Sequence, residues 1–65
     1  MKAQEIIQAF AAQVDGDLSS ICAALQDGAA LFSIGATDAD QSAVEDAWLM
    51  VVDWMKAGCA TLVAA

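Results

Sequence analysis

The sequence predicts an all-α fold, a two-helix antiparallel hairpin that closes into a homodimeric four-helix bundle. Three observations point there: proline is absent from all 65 residues, apolar residues recur at the helical period in both halves, and one glycine-centred connection separates those halves. Hydrophobic residues make up 60% of the chain, yet its net charge is −7, so the acids must lie on solvated faces of the same helices that carry the apolar stripes.

The first helix is expected over residues 3–32. At about 100° per residue, Ile7, Phe10, Ala11, Val14, Leu18, Ile21, Leu25, Ala29 and Phe32 fall on one stripe, with Glu5, Gln8, Asp15, Gly16, Ser19, Gln26 and Asp27 opposite. Asp15-Gly16-Asp17 is a turn signal. The stripe keeps its phase through that triplet, with Gly16 on the polar side, which favours one continuous helix over a break at Gly16. The turn is expected at residues 33–37, Ser33-Ile34-Gly35-Ala36-Thr37: Gly35 suits a left-handed position after a helix end, and Thr37 suits an N-cap, with Asp38 and Asp40 at the positive end of the next dipole. A second capping-box match, Ser42-Ala43-Val44-Glu45, leaves the start of the next helix uncertain by about a turn.

The second helix is expected over residues 38–63. Val44, Val51, Gly58 and Leu62 mark the centre of its apolar stripe and Ala47 and Met55 lie beside them. Trp54 borders one edge, and Trp48, Val52, Cys59 and Val63 the other. This arc covers roughly half the circumference, where a helix with one neighbour needs about 100°. A hairpin alone would therefore expose a large apolar patch, and a second copy is the simplest cover. Val44, Val51, Met55, Gly58 and Leu62 are the expected dimer core, with Gly58 and Ala47 allowing close helix approach.

A membrane role is not expected for the apolar tail AWLMVVDWMKAGCATLVAA. Burying Asp53 and Lys56 costs about 6 kcal/mol, while Leu49, Val51, Val52, Leu62 and Val63 return only about 2–3 kcal/mol. Near the start of the chain, Glu5, Gln8 and Gln13 interrupt what a secretory signal would keep apolar, so the expected location is the cytoplasm. Cys22 and Cys59, if the hairpin turns near Gly35, stand about nine residues out of register. That is about 14 Å along the helices, against the roughly 7 Å a disulfide tolerates. Buried free thiols are the expectation.

Catalytic, metal and cofactor sites are all expected to be absent. With His 0 there is no imidazole to activate a cysteine, and the two cysteines are too far apart in sequence for a zinc site. Asp15-Gly16-Asp17 and Asp38-Ala39-Asp40 resemble only fragments of a calcium loop, lacking its later glycine and glutamate. Glu45, Asp46 and Asp53 have no pocket to shift their titration. Direct nucleic-acid binding is excluded by a Lys+Arg total of 2.

The expected function is that of a small acidic protein-interaction module and regulator, which binds and inhibits a larger, unidentified protein as a homodimer. Trp54, Leu49, Trp48 and Met50 are its candidate partner-binding residues, since aromatic anchors dominate interfaces. The alternative is an acidic nucleic-acid mimic of the kind that phage-encoded inhibitors of host defence present, with Asp38, Asp40, Glu45 and Asp46 as its only acidic cluster.

Overall fold

The computed structural model describes residues 1–62, and these form an all-α fold. In chain order the elements are α1 (Ala3–Val14), α2 (Leu18–Leu25), α3 (Gly28–Ser33), a 3-10 turn (Asp38–Asp40) and α4 (Gln41–Lys56). α1 and α2 pack on each other and both pack on α4, in a body of 31 × 20 × 20 Å. At their junction lies a core of Ile6, Ile7, Phe10, Leu18, Ile21, Leu25, Ala47 and Val51.

The single helix expected over residues 3–32 is instead three helices. Asp15 and Gly16 both turn left-handed, at φ 54° and 75°, and the Gly16 N–H donates to the Ala11 carbonyl at 3.0 Å. Asp17 then caps α2: its carboxylate accepts from the Ser20 N–H at 3.3 Å and from the Ser20 hydroxyl at 2.5 Å. Asp27 does the same for α3, accepting from the Ala29 N–H at 3.0 Å. A helix-interior glycine costs about 1 kcal/mol and an Asp N-cap contributes about the same, so breaking at these points wins locally. The breaks also win globally. A folded-back α1–α2 pair covers α4 from two directions, which one straight helix could not do.

That arrangement covers the centre of the α4 apolar arc from within one chain. Ala47 and Val51 are completely buried within one chain, and the small Ala47 allows the close approach that was assigned to a dimer. The other expected dimer-core residues are placed differently. Val44 is half-buried, Met55 is exposed, and Gly58 is neither helical nor buried. α4 ends at Lys56 rather than near residue 63 because Gly58, at φ 94°, reverses the chain. Val63 lies outside the described residues. The returning segment bonds across the α1–α2 break: the Leu18 N–H donates to the Ala60 carbonyl at 3.1 Å and the Leu62 N–H to the Gly16 carbonyl at 2.7 Å. Leu62 thus packs on the core from an extended strap, not from a helix face.

Gly16 carries two constraints at once. Its φ is one that L side chains rarely adopt, and a Cβ there would stand 3.1 Å from the Leu62 carbonyl oxygen. Gly16→Ala is expected to lower stability by at least about 1–2 kcal/mol, read as a fall in the urea midpoint.

The chain start is tied to the α3–α4 connection. The Met1 amine donates to Asp40 Oδ1 at 2.5 Å, while Asp40 Oδ2 accepts from the Thr37 N–H at 2.9 Å and the Thr37 hydroxyl at 3.3 Å. The hydrogen bond to the amine, then that from Thr37, holds the Asp40 carboxyl below its ordinary value; the same bond raises the Met1 amine above its own. The depressed carboxyl contributes stability present above its unfolded value of 3.8 and lost as pH falls through the folded one. The raised amine contributes stability that is complete below 8.0 and lost as pH rises through its folded value. The melting temperature of the chain beginning at Met1 is therefore expected to fall on both sides of that window. In Asp40→Asn the alkaline limb should flatten.

Candidate functional site

Two adjoining hollows, of about 580 and 490 Å³, form one groove between the first half of α4 and, along one hollow, α3 and, along the other, the end of α2. Leu25, Gln26 and Val44 line both hollows and make the shared floor. Leu25 is buried at the end of α2, so this floor is the outer edge of the core. The chain then stops being α2 because Asp27 caps a new helix, and the change of direction carries Phe32 to one end of the groove at 81% exposure. At the other end α4 places Trp48 at 37% and Leu49 at 59%. Large apolar side chains left this exposed around a concave apolar floor have more surface to bury than the fold itself covers.

The walls carry acid and no base. Asp38 lines the hollow beside Phe32, and Glu45 lines the one beside Trp48. Of the two lysines, Lys2 precedes α1, and Lys56 lines a separate hollow with Leu49, Met50, Val52 and Asp53.

The residues expected to contact a partner are divided by this geometry. Trp48 and Leu49 meet at the groove. Trp54 and Met50 are half-buried on the other side of α4, in a cleft with Gln4, Ile7, Gln8 and Leu62, and both pack on the core. The four acids also separate: Asp38 and Glu45 stand at the groove, Asp46 is exposed and lines neither hollow, and Asp40 is engaged by the Met1 amine and Thr37. Leu25 and Phe32, which the periodicity placed on the helix stripe, Gln26, which it placed on the polar face, and Gly28 and Leu31, which it assigned to neither, are all groove residues. The signal that could have found them is Asp27-Gly28, a capping residue followed by a helix breaker.

Cys22 is half-buried and accepts a long contact from Gln26 Nε2 at 3.7 Å, whereas Cys59 is exposed, contrary to the burial expected for both; neither is in a disulfide. Reductant is expected to leave the melting temperature unchanged, and a maleimide should modify Cys59 in the native protein faster than Cys22. Among the described residues no group of three or more His, Cys, Asp or Glu is placed to hold a metal ion, and no helix is long and apolar enough to cross a membrane. Compared with known proteins, the chain matches no family model, no curated protein and no solved structure.

Proposed function

We propose that this chain is a small protein-interaction module that docks a larger protein in the α3–α4 groove and inhibits it by covering the docked segment. One observation carries the reading: Phe32, Trp48 and Leu49 stand exposed around the Leu25–Val44 floor, whereas Met1 and Met55, the other large apolar residues exposed among the described ones, line neither hollow. Exposed aromatic and leucine anchors flanking a concave apolar floor are the features that concentrate binding energy in interfaces. The free cysteines fit a reducing, cytoplasmic setting.

A homodimer, including the four-helix bundle of two copies, is a proposal that ranks second. Its original footing was the wide apolar arc of α4, and α1 and α2 of the same chain now account for the centre of that arc. Two copies joined at the groove would also set Asp38 and Glu45 of one against those of the other, which like charges disfavour. Sedimentation equilibrium at micromolar concentration separates the readings, giving one chain mass for a docking monomer and twice that for the dimer. The nucleic-acid mimic draws less support still, because Asp40 of its acidic cluster is already paired with the Met1 amine, and Asp38 and Glu45 line different hollows.

The test of the docking reading is a pair of surface variants. Trp48→Ala combined with Leu49→Ser removes the groove anchors, and Met55→Ser removes an equally apolar, exposed residue elsewhere on α4. A protein recovered with the tagged chain and with Met55→Ser should be lost from the groove variant, at a cost of about 2 kcal/mol or more. Equal recovery by both variants would refute the groove.

A further inference from the structure

We infer that the occupant of the groove is a cationic amphipathic helix of the partner protein, which presents leucine-like anchors to the floor and lysine or arginine to the walls. The inference rests on the docking reading above and adds the chemistry of the ligand. The groove-lining part of α4 runs from Gln41 to Leu49, about 12 Å at 1.5 Å per residue. A docked helix with anchors at i, i+3 or i+4, and i+7 spans about 10.5 Å, so two turns of ligand fill the length.

Charge then selects among helices. Asp38 lines one hollow and Glu45 the other. Neither hollow is lined by a cation, the Met1 amine is already neutralised by Asp40, and the chain as a whole carries −7. An anionic helix would meet like charge in both hollows. A basic one gains a partner in each hollow and is drawn in by the field of the whole protein, which raises its association rate. A second copy of this chain cannot supply that ligand, since its Lys+Arg total is 2.

The experiment uses three short helical peptides with the same leucine stripe and with lysine, glutamine or glutamate at all other positions. The readout is Trp48 fluorescence in a Trp54→Phe background, checked for native helicity by circular dichroism. The lysine peptide should bind at least about tenfold more tightly than the glutamine peptide, and the glutamate peptide should not bind measurably. That preference should collapse in Asp38→Asn with Glu45→Gln, and between 0.1 M and 1 M salt as the Debye length falls from about 10 Å to about 3 Å. Phe32→Ser and Leu49→Ser should weaken both binding peptides about tenfold. Equal affinity for the lysine and glutamine peptides, lost in Phe32→Ser, would overturn the cationic ligand and leave the docking groove standing. Binding indifferent to Phe32→Ser and Leu49→Ser, or no binding by any peptide, would overturn the groove itself.

Discussion

Val51→Asp is expected to leave the chain unfolded at 25 °C. Val51 is fully buried in α4, among the core side chains of α1 and α2. An aspartate there either stays charged without a partner or is protonated against its ordinary preference, and either course costs about several kcal/mol. Below about 70–80 residues a single core rarely supplies more than about 3–5 kcal/mol of net stability, so this one change equals the whole. Loss of the far-UV helical signal at neutral pH is the measurement. It should be independent of protein concentration, because the neighbours of Val51 belong to its own chain.

Phe10→Ala has the next largest expected effect. Phe10 is 1% exposed at the centre of the core, and truncating a buried phenylalanine costs about 3–5 kcal/mol through lost transfer energy and the cavity left behind. The urea midpoint should fall to a small fraction of the wild-type value, or the native state should be lost. Phe32 makes the contrast. It is the same residue type on the same sequence stripe, but it is 81% exposed, so Phe32→Ser should change stability by no more than about 0.5 kcal/mol. Urea titrations of the two variants side by side measure both.

The two phenylalanines mark where the fold was readable in the sequence and where it was not. Periodicity found the helical class and most of the core: Ile7, Phe10, Leu18, Ile21 and Leu25 lie on the expected stripe and are buried. Phase alone could not reveal the breaks, because Gly16, Gln26 and Asp27 all fall on the polar side of a continuous helix, where they disturb no apolar position. Their effect is on direction. After Asp17 and again after Asp27 the helix axis is reset, and Phe32, in phase on paper, leaves the core in space. Gly58 misled in the opposite sense, since a small residue on an apolar stripe reads as a close helix contact, but its φ of 94° ends α4 and sends Leu62 back over Gly16.

The candidate site was legible only in its α4 half. Trp48 and Leu49 are large apolar residues on a helix whose polar side is sparsely marked, and that suffices to suspect them. Leu25, Gly28 and Phe32 join them through the α2–α3 break, a tertiary consequence of one aspartate cap. Trp54 looked equivalent to Trp48 at the opposite edge of the arc. The fold distinguishes them by setting α1 against Trp54 and leaving Trp48 over the groove.

The most direct measurement is an amide chemical-shift map of the isotope-labelled chain titrated with the lysine-bearing helical peptide. The expected result is a set of saturable shifts at Gly28, Phe32, Val44, Leu49 and the Trp48 indole, with Gln4, Gln8 and the Trp54 indole unmoved. Shifts centred on the Trp54 cleft, or absent at saturating peptide, would contradict a docking groove between α3 and α4.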